Sequence, residues 1–328
     1  MRAVESVKKC SWECFREGTK SRPLTVRPPG SGHIHAQILT LARSMGMLED
    51  GDMLEDERLD TIGQRLLDVP GVLAVALGGS RARGDHTPAS DIDLGIYYEG
   101  DIDDDALAAL ARELGGQSAT VTATGGWGPW VDGGGWLNID GVAVDWIYRD
   151  IHRAEASVAA AERGETTRHY QLGHPFGIPQ YVNAAEIAFA RIIADPDGRL
   201  GSLKERLREY PPQLSMALVS DLADADFNIA IARKAVSRSD PAYISGCLFH
   251  ALVVAANAIH AAAGRWVTNE KGVVILADAL PTAPAGFAER SARVAGSLGR
   301  SETELERTID EAAAIVADTR ASIATYAR

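Results

Sequence analysis

The stretch GGSRARGDHTPASDIDLG, residues 78–95, joins a glycine–serine turn, two arginines and two aspartates one residue apart. It follows VLAVALGG (72–79), a short apolar run ending in glycines that reads as a buried strand and turn. DIDLGIYYEG (91–100) reads as a second strand. Side chains alternate along a strand, so Asp91 and Asp93 point to one face. Two carboxylates that close raise each other's pKa and cost stability unless something neutralises them. A divalent cation does so. Oxygen-only ligands with open positions suit Mg²⁺, which keeps waters and substrate phosphates in its shell. The turn before them fits a phosphate. Gly78 and Gly79 let the backbone approach closely, and N–H groups after such a turn make an anion site. The Ser80 hydroxyl can donate to a phosphate oxygen, Arg81 or Arg83 can neutralise one, and Gly84 permits the next tight turn.

Other glycine motifs fail on these residues. Gly79 to Gly84 has the G-x-x-x-x-G spacing, but Asp85 and His86 follow where a P-loop needs Lys and Ser or Thr. Ala82 stands where a nucleophile elbow needs its last glycine. The dinucleotide fingerprint G-x-G-x-x-G is absent. A third carboxylate is needed to hold two metals, and Asp145, in VAVDWIY, is the candidate. A buried Asp in an apolar strand is costly unless it is paired or binds metal. Alternation puts Asp145 on the opposite face from Val144 and Trp146, so its face can be the open one.

The remaining chain sets the frame. Its 328 residues fit one large or two ordinary domains, and the apolar content of 46% is normal for a globular core. No run of about eighteen apolar residues free of charge stands out, so no membrane span or membrane partner is expected. The N-terminus lacks an apolar signal core. A net charge of −12 argues against a nucleic-acid backbone as the main partner, which needs clustered Lys and Arg. Three cysteines, Cys10, Cys14 and Cys247, are too few and too scattered for a disulfide framework or a zinc site, and they read as free thiols in a cytoplasmic setting.

Residues 1–35 are rich in Pro, Gly and Ser and read as a weakly structured tail. Residues 36–152 read as a domain of strands and helices. It contains a helix ending near LLDVPG (66–71), a helix over 103–116, a strand at TVTAT (120–124), a loop over 125–135 and a hairpin about Asp140-Gly141. Residues 153–180 read as a connector. Within 181–328 the pattern predicts only helices, over 182–194, 202–209, 213–237, 241–263, 270–279, 284–297 and 302–326. The fold class is therefore α+β: a small mixed β-sheet with flanking helices, followed by an all-α helical bundle.

LGGS (77–80), ten further residues, DIDL (91–94) and an isolated aspartate in a later strand resemble the polymerase-beta-type nucleotidyltransferase superfamily. GSRARGDHTPASDID (79–93) resembles in particular its small-substrate branch, the antibiotic adenylyltransferases and the minimal nucleotidyltransferases. AIHAAAGRWVTNEKGVVILADALP (258–281) has the layout of the helical domain of aminoglycoside adenylyltransferases, and the segments from GHPFGIPQY (173–181) to NEKG (269–272) resemble uncharacterised bacterial nucleotidyltransferase-domain proteins. The resemblance implies transfer of AMP from ATP to a hydroxyl of a small-molecule acceptor, an antibiotic included, with two Mg²⁺ ions and release of pyrophosphate. It implies that Asp91 and Asp93 bind both ions and Asp145 one, and that Gly79, Ser80 and an arginine, Arg81 or Arg83, hold the β- and γ-phosphates. Lys271 would reach the triphosphate, its other reading being an exposed lysine at a helix start.

A separate carboxylate facing the cleft between domains takes the acceptor's proton in the antibiotic adenylyltransferases. Glu186, Asp224, Asp226 and Glu270 are the candidates here, Glu186 first. Trp127, Trp130 and Trp136 surround a glycine-rich loop and either close on a ligand or, the favoured reading, cover a sheet edge. His174 reads as a hydrogen-bonding loop residue rather than a metal ligand. Arg163 and His169 match the spacing of a toxin-ribonuclease signature but fall in the connector, not mid-helix. Two other functions stay open: an AMP-transferase acting on a partner protein, and a nucleotide-binding module without catalysis.

Overall fold

The computed structural model describes residues 51–84, 87 and 90–326, with side chains from residue 57 onward. The proposed tail over residues 1–35, and with it Cys10 and Cys14, lies outside the described residues; Cys247 is a buried free thiol.

The chain enters through α1 (Gly51–Leu67), then β1 (Val72–Leu77), the five-residue α2 (Gly79–Arg83), β2 (Ile92–Tyr98) and α3 (Asp104–Gly115). Three strands follow: β3 (Thr120–Val121), β4 (Gly134–Ile139) and β5 (Val142–Asp150). Next come α4 (Ile151–Arg163), the short pair β6 (Arg168–His169) and β7 (Ile178–Pro179), α5 (Val182–Phe189), β8 (Arg191–Ala194) and α6 (Arg199–Arg206). The rest is helical: α7 (Pro212–Ser220), α8 (Leu222–Ala235), α9 (Pro241–Ala262), α10 (Val273–Asp278), α11 (Phe287–Gly296) and α12 (Glu302–Tyr326). From Asp56 onward these elements belong to one compact unit.

The main sheet has the order β3-β4-β5-β2-β1-β8 and is mixed, with β2 and β5 parallel and the other pairs antiparallel. The β4–β5 hairpin turns at Asp140 (φ 51°) and Gly141 (φ 88°), the two positive φ values that a tight hairpin turn of the favoured hand requires. Alternation divides the sheet into two faces. Val75, Leu77, Leu94, Ile96, Val144, Trp146 and Tyr148 point into one core with Leu59, Ile62 and Leu66 of α1 and Leu107 and Leu110 of α3. Ala74, Ala76 and Tyr97 point the other way, against Ile151, Ala154 and Val158 of α4 and Ala184 and Ile187 of α5. A third core joins α8, α9 and α12.

Two expectations change. The region 181–328, read as purely helical, contributes a strand of its own. The predicted helix 182–194 stops at Phe189, and Arg191–Ala194 becomes β8, the edge strand beside β1. RIIA has the same apolar content in either form, and the open edge of β1 decides it. Second, α9 carries no Lys, Arg, Asp or Glu and reaches a mean hydropathy of 1.7, so by length and composition it could cross a membrane. Some 67% of that apolar window is buried within the protein, as expected of the central helix of a core.

Lys204 of α6 ties the new strand to the helix before it. Its ammonium donates to the carbonyls of Ile187 (3.3 Å), Ala188 (3.0 Å) and Ala190 (2.6 Å), the unpaired end of α5. Lys204→Met leaves those carbonyls without their charged donor and is expected to cost about 2 kcal/mol in denaturant unfolding. An unchanged midpoint would show that solvent replaces the ammonium at no cost.

Candidate active site

The face of the sheet that carries Ala76 and Tyr97 is only partly covered by α4 and α5, and the uncovered part opens into a cleft of about 490 Å³. That is within the range of small-ligand sites. Asp91 and Asp93 line it, and β2 and β5 run in register so that Asp93 is the Cα partner of Asp145. Parallel partners at equal height project to the same side, so Asp145 stands beside Asp93, although it does not itself line the cleft. Among the described residues no three His, Cys, Asp or Glu side chains are drawn tightly enough to form a finished metal cage.

The electrostatics are those of an undercompensated acidic cluster. Burial, then the neighbouring Asp93 and Asp91, push the Asp145 carboxyl up to about 6. Burial and Asp91 likewise raise Asp93, with Glu186 adding to the effect and Arg83 and Lys271 opposing it. Three oxygen-donor side chains, two of them (Asp93 and Asp145) raised above the ordinary carboxylate range, fit a hard divalent cation that keeps open coordination positions.

The glycine–serine segment is a short helix rather than an open turn. Gly78 caps it and donates its N–H to the Asp93 carbonyl at 2.8 Å. Gly79 has φ +61°, and a Cβ there would fall inside the Asp93 carboxylate group. Only glycine meets both demands. Ser80 and Arg83 line the cleft, and the Arg83 guanidinium lies 5.9 Å from the Phe189 ring centre. Gly84, at φ 77°, ends the helix. Of the two arginines offered for a phosphate, Arg81 is placed differently from Arg83. It is turned to the Ser90 carbonyl, to which Nη2 donates at 3.0 Å and Nε at 3.3 Å, and it does not line the cleft. That contact braces the residue just before Asp91.

Glu186 of α5 lines the cleft, but both its carboxylate oxygens accept from Arg149 at 2.7 Å, and the Arg149 side chain is only 9% exposed. A carboxylate so engaged is better suited to holding position than to taking a proton. Asp224 pairs with His250 and Asp226 with Arg320, and neither lines the cleft. Lys271 lies in the turn before α10, outside the lining residues, yet near enough for its charge to act on Asp93. Its neighbours Thr268 and Asn269 do line the cleft, and Glu270 approaches His174 at 3.5 Å.

Residues that the sequence did not single out complete the walls. Arg149 and Tyr97 are Cα partners on the same strands as the aspartates, and Asn183 stands one turn before Glu186. Alternation from Asp145 would have found Arg149. Trp130 also lines the cleft, stacked on His169 with centroids 3.6 Å apart, whereas Trp127 and Trp136 stack on each other at 4.9 Å near β4. The favoured reading of the tryptophans as an edge cover therefore leaves out Trp130.

Two outcomes are expected of this geometry. Gly79→Ala forces a positive φ on alanine and displaces Asp93, so it should lower the unfolding free energy by about 2 kcal/mol; an unperturbed variant would mean that the Asp93 carboxylate rotates away freely. The second concerns pH. With its folded pKa raised, Asp145 keeps a proton in the folded chain that the unfolded chain has released, so stability falls as pH rises from about 4 to about 6. Asp145→Asn removes that cost and should raise stability at neutral pH by on the order of 1 kcal/mol, discounted for its partial exposure, with the difference closing near about pH 4. Thermal melting across that range checks it, and a gap that does not narrow in acid would overturn the assignment.

Residues 59–119 match the family model of the nucleotidyltransferase domain. No curated protein matches the chain. Among solved structures, a nucleotidyltransferase-like protein from Exiguobacterium sibiricum 255-15 is similar at 14% identity, over 83% of this chain and 78% of that one, with a TM-score of 0.39. The matched segment runs from α1 through β1, α2, β2 and α3 and contains Gly79, Ser80, Asp91 and Asp93, and it supports a nucleotidyltransferase domain and nucleotidyl transfer in general.

Proposed function

We propose that the protein transfers AMP from ATP to a hydroxyl of a small-molecule acceptor and releases pyrophosphate. The observation that carries this reading is the in-register pairing of Asp93 with Asp145, with Asp91 beside them, at a cleft also lined by Ser80 and Arg83. In the reaction the acceptor oxygen attacks the α-phosphorus in line, the bond from that phosphorus to the bridging oxygen breaks so that pyrophosphate leaves, and the acceptor's proton passes to water. Asp91, Asp93 and Asp145 would hold two Mg²⁺ ions, which when bound lower the pKa of the attacking hydroxyl and neutralise the triphosphate.

The chain's own groups do the positioning. Gly79 lets the backbone approach the phosphates, Ser80 donates a hydrogen bond to one of their oxygens, and Arg83 and Lys271 supply positive charge. Arg81 holds the segment leading to Asp91. The Arg149–Glu186 pair fixes one wall of the cleft, so that Glu186 orients the acceptor. Orientation and fixed charge of this kind account for most of the rate that such sites achieve.

The test is pyrophosphate release with Mg²⁺, ATP and a panel of hydroxylated small molecules. Release should require an acceptor, and Asp91→Ala and Asp93→Ala should each lower it by about a hundredfold or more. Arg83→Ala should weaken Mg·ATP binding about tenfold in calorimetry. Release that appears only with a partner protein would move the activity to protein modification. Mg·ATP binding without release under any condition would make the chain a binding module, and no Mg·ATP binding at all would sink the reading.

A further inference from the structure

Helix α5 runs along the cleft and gives it two ends. Asn183, Glu186 and Phe189 all line it, and six residues of helix span roughly 9 Å. Phe189 lies at the Arg83 end, beside the glycine–serine helix. Asn183 lies at the other end of this helix stretch; Ile178, His174, Asn269 and Trp130 also line the cleft. Two buried oxygens there have no partner. Asn183 is 3% exposed and its Oδ1 accepts nothing. The Glu270 side chain is 8% exposed; its Oε2 faces His174 at 3.5 Å while its Oε1 is unpaired. Glu270 lines a small side pocket that meets the cleft at Asn269, a residue common to both. A buried acceptor without a donor costs about 1–3 kcal/mol, so one at the cleft wall (Asn183) and one in the side pocket that adjoins it (Glu270) point to a ligand that supplies donors.

The charge balance narrows the ligand. At this end Glu186 is matched by Arg149, and Glu270 shares its side pocket with Arg168. The carboxylates raised by their acidic neighbours lie instead at Asp93 and Asp145, with Asp91 beside them. A polycation would find no net negative charge at the Asn183 end, whereas hydroxyl donors would satisfy both orphaned oxygens. Trp130, backed by His169 at 3.6 Å, adds a rigid aromatic surface of the kind that packs against the apolar face of a sugar ring.

We infer that the Asn183 end of the cleft is the acceptor subsite and that it takes a neutral, hydroxyl-rich ring, with Asn183 and Glu270 as its specificity-determining acceptors. This rests on the nucleotidyl-transfer reading for its role, though not for binding itself. The test uses the full chain with Mg²⁺ and a non-hydrolysable ATP analogue. Methyl glycosides of common hexoses and pentoses are the neutral probes, spermine is the cationic one, and saturation-transfer NMR followed by calorimetry reads binding.

At least one glycoside is expected to bind. Asn183→Ala and Trp130→Ala should each weaken it about tenfold, because each removes one recognition element. Asn183→Asp and Glu270→Gln keep an acceptor oxygen in place and should stay within about threefold of the parent chain. Those two variants also separate a lost contact from a failed fold. The analogue's own affinity should not change in any of the four. Binding of spermine alone, binding of no glycoside, or glycoside binding indifferent to Asn183→Ala and Trp130→Ala would overturn the proposal. Failure of the analogue to bind the parent chain would instead remove the nucleotidyl-transfer reading and leave the glycoside result standing by itself.

Discussion

The parallel register of β2 and β5 is the constraint from which the site follows. Parallel neighbours cannot be joined by a hairpin, and here α3, β3 and β4 intervene between them. That long connection brings Asp145 to the height of Asp93 although 51 residues separate them, since 145 − 93 − 1 = 51. The same register sets Ile147 beside Gly95 and Arg149 beside Tyr97. One strand pair thus supplies the acidic cluster, a flat stretch of floor at Gly95, and the buried arginine that holds Glu186. A slip of one residue would turn Asp145 into the core beneath and Trp146 out into the cleft, exchanging a fully buried indole for a carboxylate. The apolar face therefore enforces the geometry of the polar one.

The carboxylates oppose folding, and their surroundings limit the damage. Asp93 lies close to Arg83 and Lys271, which come from opposite ends of the chain's described region, one on α2 and the other before α10. Asp145 is pushed up to about 6, by burial first and then by Asp93 and Asp91. Glu186 is handled differently. Arg149 neutralises it through two short contacts, so it adds only a secondary effect on Asp93. The protein separates a carboxylate group left in tension from a carboxylate held in place.

Much of this was legible in residues 72–95 and 136–150. A period of two, a Gly-Ser turn and Asp140-Gly141 define strands whose faces follow from alternation alone. The two-faced sheet with Asp91, Asp93 and Asp145 on the open side needed no structure. What resisted reading depended on partners distant in sequence. RIIA at 191–194 has no period that distinguishes strand from helix, and only the free edge of β1 selects the strand. Arg81 and Arg83 are equivalent as sequence, being two residues apart in one segment. Only the helical form of Gly79–Arg83 separates them, turning one to the Ser90 carbonyl and the other to the cleft. Asn183 carries no motif, and its place follows from the packing of α5 across the sheet.

The loop between α9 and α10 shows how the helical region enters the site without moving with it. Its entry is held where Trp266 packs on Tyr210 at 4.6 Å, and its exit where His260 Nε2 meets the Val273 carbonyl at 3.1 Å. Gly264 and Gly272 bracket it, both at positive φ, so the chain can leave one helix and start the next within ten residues. Between those anchors Thr268 and Asn269 face the cleft, Glu270 faces His174, and the Lys271 charge reaches Asp93. Four consecutive residues thus serve three different surroundings. That is possible only because α9 is an uncharged, mostly buried helix whose end cannot shift without exposing the core around it. The apolar composition that makes α9 resemble a membrane span is therefore what makes it a fixed support for the most polar loop at the site.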